Sequence, residues 1–393
     1  MKKKQKILVA MSGGVDSSVA AALLVKQGYN VSGAFMVNYD EKISPHARGG
    51  GEGGVGSRCW TGDYRDALRV AAKLGIKLLK LDFTRKYKRD VLDYMYSEYK
   101  AGRTPNPDVL CNKFIKFGAW LDKARALGFD KLATGHYAFL PPLIKGERKG
   151  GGVLHLLQSK DLNKDQTYFL NQLSQAQLRH VLFPIGEYAK PQVRALAKKF
   201  GLPTAEKEES MGICFIGEVP MKEFLMKKIK FKPGNIVLSL PFTRGEPPPR
   251  RGPASRRWRE RGKVVGQHDG LAFYTIGQRI SLSFPRLSTG ESSALPLFVV
   301  GKNIKKNELI VGDEKSDMLY SMEARVKDVN WISGNTPNFP LKCQVRLRHR
   351  QPLQRCTVSL PLVTFTHPQR AVTPGQFAVF YLKGECLGGG VIA

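Results

Sequence analysis

A short loop of glycines and serines near the start of the chain has the residue types needed to bind a charged ligand. Ser12-Gly13-Gly14-Val15-Asp16-Ser17 separates an apolar run, Ile7–Met11, from a segment with apolar residues at helical spacing, Val15–Gln27. Glycines let backbone N–H groups approach an oxygen-rich ligand, and a helix N-terminus favours negative charge. The pattern predicts an anion cradle, with a tight turn capped by serines as the simpler alternative. It lacks the G-x-x-x-x-G-K-[ST] spacing of a Walker P-loop.

Two cysteines lie in stretches that suit chemistry on sulfur. Cys111 follows Asp108, which we expect to cap a helix, and this places Cys111 in the first helical turn. A helix N-terminus favours the nucleophilic thiolate, but the charge of Asp108 opposes that effect, so the net direction stays open. Cys214 lies among glycines and apolar residues in Glu208–Glu218. Composition alone favours a small buried hydrophobic residue in both cases.

Alternating strands and helices are expected to position these residues in the first third of the chain. We predict strands at Ile7–Met11, Val31–Val37, Lys77–Leu81 and Lys131–Thr134, and helices at Val15–Gln27, Asp63–Leu74, Arg85–Lys100 and Val109–Leu127. Such alternation predicts an α/β fold with a doubly wound parallel sheet covered on both faces. Ligands bind such sheets at the carboxyl ends of the strands, where the glycine-serine loop, Phe35-Met36 and Thr134–Tyr137 fall.

The remaining chain divides by composition. We expect a first domain over 1–207, a small central domain over 208–296, and a C-terminal β-barrel over 297–393 that begins with the β-rich runs Leu297–Asn303 and Glu308–Glu314. Two stretches are interpreted as insertions: a glycine-rich one near 44–59, and one rich in proline, glycine and arginine near 241–262. The basic insertion is either a tolerated surface segment or a source of extra phosphate contacts.

Charge and cysteine content restrict the class of protein. The 393 residues include 63 Lys and Arg against 33 Asp and Glu, a net charge of +30, which favours a nucleic-acid partner over a basic surface that serves only solubility. The six cysteines are scattered and form no C-x-x-C pair, which argues against a disulfide scaffold or a zinc ribbon. No apolar run suits a signal peptide or a membrane span. We expect a monomeric cytoplasmic protein without a resident metal ion.

The glycine-serine loop resembles the S-G-G-x-D-S signature of the PP-loop ATP pyrophosphatases, which cleave ATP between the α and β phosphates and form an adenylated substrate. Over nearly the whole chain, further motifs resemble the tRNA-specific 2-thiouridylases, which replace oxygen by sulfur at C2 of the wobble uridine. The matching stretches, in the same order, are Ser12–Ser17, Asn106–Asn112, Ala133–Tyr137, Asn163–Leu170, Gly212–Gly217, His268–Leu271, Thr275–Arg279, Thr373–Gln376 and Cys386–Gly390. This resemblance implies a PP-loop domain of the adenine nucleotide alpha hydrolase type, a small central domain and a C-terminal β-barrel.

The resemblance also implies a reaction sequence. AMP is transferred from ATP to the C2 oxygen of uracil, which is otherwise a poor leaving group. Cys214 accepts sulfur as a persulfide from a donor protein or sulfur relay. Cys111 attacks the persulfide and leaves a Cys111–Cys214 disulfide that a reductant resets. Asp108 is implied as the acid/base or base-orienting group.

Binding residues follow from the same resemblance. ATP, with the Mg²⁺ that accompanies it, is expected at Ala10, Met11, Ser12, Gly13, Gly14, Val15, Asp16, Ser17, Met36 and Gly135. The tRNA is expected at Asn106, Pro107, Asp108, Lys164, Asp165, Gln166, Arg348 and His349. A solvated basic face is the alternative for Lys164 and Arg348, and a fixed turn is the alternative for Asp165 and Gln166. His349 replaces the aromatic residue common at its position and can still stack on a base.

Other functions stay open at the level of sequence. One is a different PP-loop adenylating enzyme, such as an amidotransferase-type synthetase or a tRNA lysidine-type ligase. Another is a non-catalytic RNA-binding protein that keeps ATP as a structural ligand. An iron–sulfur cluster held by Cys111, Cys214 and Asp108 has no spacing signature for or against it. The residues after Gly277-Gln278-Arg279 also depart from the family, which usually continues with a lysine and a glycine-rich turn.

Overall fold

The computed structural model describes residues 4–40, 60–141, 152–208, 221–230, 232–239, 262–280 and 296–393. Its strands are β1 Lys6–Ala10, β2 Asn30–Val37, β3 Leu78–Asp82, β4 Lys131–Ala133, β5 Ala138–Phe139, β6 Leu157–Gln158, β7 Val181–Leu182, β8 Gly234–Leu238, β9 Val264–His268, β10 Arg279–Ile280, β11 Leu297–Asn303, β12 Glu308–Gly312, β13 Tyr320–Trp331, β14 Leu341–Arg346, β15 Gln354–Ser359, β16 Leu362–Arg370, β17 Phe377–Leu382 and β18 Glu385–Ile392.

The α-helices are α1 Val15–Lys26, α2 Thr61–Leu74, α3 Thr84–Tyr87, α4 Asp93–Lys100, α5 Pro107–Leu110, α6 Leu121–Ala126, α7 Gln175–Leu178, α8 Lys190–Lys199 and α9 Met221–Met226. The π-helical segments Lys88–Leu92 and Cys111–Trp120 join α3 to α4 and α5 to α6, and 3₁₀ turns lie at Thr167–Leu170, Leu271–Phe273 and Asp317–Leu319. Among the described residues, no helix combines the length and apolar character that a bilayer crossing requires.

A parallel sheet in the order β3-β2-β1-β4-β7 forms the centre of the first domain. Both faces are buried: Leu8 of β1 packs into one apolar core, while Ile7 and Val9 pack into another on the opposite face. The doubly wound α/β fold predicted from alternating strands and helices is therefore confirmed. The two-residue strand β7 was not anticipated, because so short a segment carries no periodic signal.

The central domain is a five-stranded sheet in the order β10-β11-β12-β8-β9. The sequence pattern predicts that the runs forming β11 and β12 belong to the C-terminal barrel, but both strands lie in the central sheet. The reason is that β12 pairs in parallel with β8, from Glu308 opposite Asn235 onward, and its apolar residues share a core with Ile236. This pairing joins segments about 70 positions apart in the chain. Local β-propensity predicts that a strand forms, but it does not predict which distant strand it pairs with.

The C-terminal barrel runs β13-β16-β15-β14-β17-β18 and is closed by pairing of β13 with β18. Strand β17 is buried on both faces because it belongs to two cores. Its residues Ala378 and Phe380 point into the barrel, whereas Phe377, Val379 and Tyr381 pack against the first domain. The predicted C-terminal β-barrel is confirmed, and it is docked tightly on the parallel-sheet domain.

A buried ion pair lies inside this docking surface. Arg346 at the end of β14 donates to the Asp165 carboxylate at 3.1 Å, and the two residues are 6% and 1% exposed. The same carboxylate accepts from the Ser159 backbone N–H at 3.1 Å and from the Thr167 hydroxyl at 2.7 Å. A buried carboxylate needs such donors, because its charge has been removed from water.

We expect Arg346→Met to lower the free energy of unfolding by about 3–5 kcal/mol, because it leaves the charge of Asp165 buried without its cation. Urea unfolding monitored by circular dichroism measures the change. Arg355→Met is the matched control, since Arg355 lies exposed in the neighbouring strand β15 and its loss should change stability by less than about 0.5 kcal/mol. Equal effects of the two substitutions would contradict this account of the ion pair.

Candidate active site

The loop between β1 and α1 is held in one shape by its own hydrogen bonds and by helix α2. The Ser17 hydroxyl donates to the Gly14 carbonyl at 3.1 Å and accepts from the Ser12 backbone N–H at 3.2 Å. Gly13 has a φ of +79°, and a Cβ there would lie 2.2 Å from the carbonyl oxygen of Asp63. Only glycine fits this position. The loop leads directly into α1, whose first N–H groups lack intrahelical partners and can face an anion.

A buried lysine compensates the one acidic residue of the loop. Lys190, the first residue of α8, donates to both carboxylate oxygens of Asp16 at 2.8 and 2.9 Å. The Tyr137 hydroxyl donates to the same carboxylate at 3.0 Å. The Lys190 side chain is only 10% exposed. Because its charge is paired, Asp16 can lie in the first turn of α1 without repelling a polyphosphate.

A second lysine ties the loop to α2. Lys207 donates to the Gly13 carbonyl at 3.1 Å, to Asp63 at 2.8 Å and to Asp66 at 2.5 Å. Burial opposes the charge of this lysine, but hydrogen bonds to the two carboxylates outweigh that effect and raise its pKa. No sequence motif singles out either lysine. Lys190 lies 174 positions from Asp16, and Lys207 lies 194 positions from Gly13, so no local spacing connects them.

The residues predicted to bind ATP lie at one edge of the parallel sheet. The Met11 backbone N–H donates to the Ala34 carbonyl at 2.8 Å, just beyond the end of β1. Gly135 packs against the start of α1, since a Cβ there would lie 2.7 Å from the Ser17 nitrogen. Met36, near the end of β2, is buried. The structure thus brings the loop, Met36 and Gly135 to the same carboxyl edge, while their contact with ATP stays a prediction.

The helix that carries Cys111 begins earlier than expected. Asn106 is its N-cap, with a side chain that accepts from the Val109 backbone N–H at 3.3 Å, and Pro107 occupies the first helical position, where proline is tolerated. Asp108 is therefore the second helical residue, not the cap. Cys111 is the fifth, at the start of the second turn, where the field of the helix N-terminus has weakened.

Cys111 is fully buried and is linked to the sheet edge by one amide. The Asn38 Nδ2 lies 4.0 Å from the Cys111 Sγ and donates to it, and Asn38 directly follows β2. Strand β2 neighbours β1, which leads into the glycine-serine loop. The predicted thiol and the predicted anion cradle therefore meet at the same edge of the sheet. No sequence motif identifies Asn38 as a functional residue.

Cys214 lies outside the described residues. Described residues on either side of it contact the first domain. Lys207, seven positions earlier, contacts the loop at Gly13, and Phe224 of α9 packs against Tyr39 with 5.6 Å between ring centroids. The insertion near 44–59 and residues 241–261 also lie outside the described part of the chain.

The chain that approaches Cys111 is held by both other domains. Gln376 of the barrel donates to the Thr104 carbonyl at 2.8 Å and accepts from the Asn106 amide at 3.5 Å. Lys302 of the central domain donates to the Gly102 carbonyl at 3.0 Å, and burial lowers the pKa of this lysine to about 8. Two of the sequence motifs, Asn106–Asn112 and Thr373–Gln376, therefore contact each other in the folded protein.

Two residues of the predicted tRNA set face the protein interior. Asp165 is buried against Arg346, and Gln166 forms a reciprocal pair with the backbone of Tyr137, accepting at 2.9 Å and donating at 2.8 Å. Tyr137 in turn bonds Asp16, so this turn supports the loop from behind. Lys164 is half-buried beside them. Direct contact of these three residues with RNA stays a prediction.

Arg348 joins the central domain to the barrel. Its guanidinium donates to the carbonyls of Ile276 and Ala371 at 2.7 and 2.9 Å and to the Thr373 hydroxyl at 3.0 Å. Burial, together with the charge of Arg370, lowers its pKa. Arg348, which is predicted to contact tRNA, therefore also links the central domain to the barrel.

His349 is packed between the barrel and the first domain. Its ring lies 4.5 Å from the Phe169 ring, and its Nε2 lies 3.1 Å from the Asp165 carbonyl. Burial lowers the pKa of His349, which favours a neutral ring that donates from Nε2 to that carbonyl. The ring thus already stacks on an aromatic side chain, and stacking on a base stays a prediction.

Three family models match the chain. The tRNA methyl transferase HUP domain matches residues 5–218, more than half of the chain. The tRNA methyl transferase PRC-barrel domain matches residues 251–313, and the Aminomethyltransferase beta-barrel domain matches residues 321–392. Among solved structures, a 4-thiouridine synthetase–RNA complex with bound ATP is 16% identical, with a TM-score of 0.32, over 57% of this chain and 50% of that one.

Close sequence relatives cover almost the entire chain. It is 44% identical to the tRNA-specific 2-thiouridylase MnmA of Streptococcus sanguinis (strain SK36), over 99% of this chain and 95% of the relative. It is 46% identical to the tRNA-specific 2-thiouridylase MnmA 2 of Geobacillus kaustophilus (strain HTA426), over 98% and 94%. On this identity, and on the motifs that fold together at the sheet edge, the chain belongs to the tRNA-specific 2-thiouridylase family.

Proposed function

We propose that this protein uses ATP to replace the C2 oxygen of the wobble uridine of tRNA by sulfur. The observation that carries the proposal is the meeting of the glycine-serine loop and Cys111 at one edge of the parallel sheet, where Asn38 contacts the thiol. An adenylating site and a sulfur-transferring site must act on the same base, so their proximity is required. The relatives named for this activity match nearly the whole chain.

The adenylation step uses the loop as a phosphate cradle. Backbone N–H groups at the start of α1 would bind the β and γ phosphates of ATP, while Lys190 and Lys207 neutralise the acidic side chains around them. The C2 oxygen of uracil then attacks the α phosphorus, which forms a C2–O–AMP bond and releases pyrophosphate. Proton movement at the base falls to Asp108, which we propose as the acid/base or base-orienting group.

Mg²⁺ would arrive with the phosphates, because it prefers phosphate oxygens and water to a dedicated protein cage. Among the described residues, no three His, Cys, Asp or Glu side chains are grouped to hold a metal ion. The Asp16 carboxylate, at the start of α1, is already bonded to Lys190 through both oxygens. When bound, Mg²⁺ would neutralise phosphate charge during transfer.

Sulfur transfer would follow at the two cysteines. A donor protein loads Cys214 as a persulfide, Cys214–S–SH. The Cys111 thiolate attacks the Cys214 sulfur, which forms the Cys111–Cys214 disulfide and releases hydrosulfide. Hydrosulfide then attacks C2 and displaces AMP, and a reductant restores the two thiols. Because Cys111 is fully buried in the free protein, we propose that tRNA binding opens the contacts around it.

The tRNA would bind through its phosphates to the strongly basic chain, with Asn106, Pro107 and Asp108 beside the target base. We propose that Asp165, Gln166, Arg348 and His349 act mainly by holding the three domains in register, since their described polar contacts are made within the protein. We further propose a monomeric cytoplasmic enzyme.

The two cysteines should be essential for thiolation. A tRNA with an unmodified wobble uridine is incubated with the protein, Mg-ATP and a persulfide donor, and nucleosides are analysed by mass spectrometry. Wild type should form 2-thiouridine, Cys111→Ser should form none, and Cys214→Ser should form none or depend strongly on the donor. Cys343→Ala, which removes a buried barrel thiol, should retain activity. Undiminished thiolation by both serine variants would overturn the persulfide route, and a brown chromophore after anaerobic purification would favour a cluster.

Gly13→Ala should weaken binding of a non-hydrolysable ATP analogue by at least about tenfold, which corresponds to about 1.4 kcal/mol. The new methyl group would collide with the Asp63 carbonyl and displace the cradle. Gly28→Ala is the matched control, because Gly28 has a φ of +83° but nothing within 4 Å of the added Cβ. Titration calorimetry measures both variants. If they lose affinity equally, backbone strain alone explains the effect and the cradle is not at Gly13.

Salt should weaken tRNA binding far more than ATP binding. Raising salt from about 50 to 200 mM should reduce tRNA affinity on the order of 10³-fold if six or more phosphates are contacted. ATP displaces far fewer counterions, so its affinity should change much less. Fluorescence anisotropy with labelled tRNA and calorimetry with the ATP analogue give the two dependences. Equal sensitivity to salt would count against an RNA substrate.

A further inference from the structure

The surroundings of Cys111 contain a polar side chain that the proposed reaction has not used. Asn38 is 2% exposed, and its Nδ2 donates to the Cys111 Sγ at 4.0 Å. Its other polar atom, Oδ1, is buried without a hydrogen-bond partner in the described part of the chain. An asparagine retained only for packing would normally have both ends of its amide satisfied, because burying an unpaired carbonyl is unfavourable. Asn112 also leaves its Oδ1 without a partner, but its amide donates to a backbone carbonyl, whereas the Asn38 amide donates to the sulfur of Cys111. This contact with a predicted nucleophile makes the Asn38 amide the candidate for function.

The position of Asn38 in the fold also points to a function. It is the first residue after β2, two positions beyond Met36, at the edge where the glycine-serine loop also lies. The sulfur that it contacts belongs to an apolar core that includes Val109 and Ile115. A sulfur anion in such surroundings needs hydrogen-bond donors, since desolvation disfavours the charged form. Hydrogen bonds to a charged acceptor are also stronger than those to a neutral one.

We propose that Asn38 is a positioning residue for sulfur transfer: its amide orients Cys111 and stabilises the thiolate that attacks the persulfide. This inference rests on the proposed function of Cys111. It also explains how a thiol beyond the first helical turn can act as a nucleophile, because the donor comes from the sheet edge and not from the helix N-terminus. The same contact couples the thiol to the strand that leads to the ATP edge.

Other ionisable groups lie on the elements packed against Cys111. They are Asp108, Lys113 and Lys116 on its own helix, Arg85, Lys86, Tyr87, Lys88, Arg89 and Asp90 on the preceding helical run, and Tyr168 on the 3₁₀ turn Thr167–Leu170. Substitution of Asn38 leaves all of them in place. A change in the pH dependence of Cys111 between wild type and an Asn38 variant therefore reports the amide.

The test follows the pH profile of Cys111 alkylation by iodoacetamide in the full-length folded protein bound to unmodified tRNA, because tRNA binding is proposed to open the contacts around this buried thiol. Trypsin releases Cys111 as its only cysteine in the peptide Thr104–Lys113, and Cys386 in Gly384–Ala393, so mass spectrometry reads each site separately. Cys386 is also fully buried, and it reports general loosening of the fold. Asn112→Ala is the matched control, because this equally buried amide lies next to Cys111 but donates to the Phe169 carbonyl at 3.1 Å.

We expect Asn38→Ala to move the midpoint of the Cys111 profile upward by roughly one pH unit, which slows alkylation about tenfold near pH 7. Asn38→Asp, which keeps the shape but replaces the donor by a carboxylate, should move it further. The Cys386 profile and the Asn112→Ala midpoint should stay unchanged. An unchanged Cys111 midpoint in both Asn38 variants would overturn the inference, and so would a parallel acceleration at Cys386.

A second measurement separates this inference from the proposed function. Thiolation by Asn38→Ala should be reduced about tenfold at pH 7 and should recover towards wild type near pH 9, because higher pH supplies the thiolate. Recovery of this kind is not expected from a merely structural defect. If the alkylation midpoint shifts but wild type forms no 2-thiouridine, the role of Asn38 towards the thiol stands and the proposed function fails. If wild type thiolates and the midpoint does not move, only the inference fails.

Discussion

The ion pair between Asp16 and Lys190 is the interaction on which the arrangement of the site depends. A carboxylate in the first turn of α1 favours the helix, because it faces the positive end of the helix dipole, but it would repel a polyphosphate at the same place. Lys190 and Tyr137 reduce this repulsion, because both donate hydrogen bonds to the Asp16 carboxylate. Since Lys190 begins α8 and Tyr137 follows β4, formation of the cradle requires that the whole parallel-sheet domain has folded.

The barrel and the central domain hold the chain segment that precedes the Cys111 thiol. The segment before Cys111 is bonded by Gln376 from the barrel and by Lys302 from the central domain. Behind it, the buried pair of Asp165 and Arg346 joins the barrel to the first domain. The proposed sulfur transfer would bring two cysteines 103 positions apart to one base, so rigid placement of at least one of them would be advantageous. The docked domains provide that rigidity at Cys111.

Burial of Cys111 also has a chemical consequence. A nucleophilic thiol exposed to solvent is open to oxidation, whereas a buried one is protected until substrate binding opens the site. Protection requires that polar contacts within the protein take over the role of water, and the Asn38 amide is placed to do so. In the proposed reaction, adenylation and sulfur transfer would share an edge of the sheet but use different groups: backbone N–H groups for phosphate and a side-chain amide for sulfur.

The sequence by itself determined the α/β alternation, the glycine-serine loop, the two cysteine motifs and the β-rich C-terminus. Each of these features depends only on local periodicity or on a contiguous run of residues. The sequence pattern missed β7, placed β11 and β12 in the wrong sheet, and assigned the helix cap to Asp108 instead of Asn106. The tertiary structure alone decided which distant residues meet: Lys190 with Asp16, Lys207 with Gly13, Arg346 with Asp165, and Asn38 with Cys111. Such contacts depend on how strands pair and domains dock, and no spacing along a single chain encodes them.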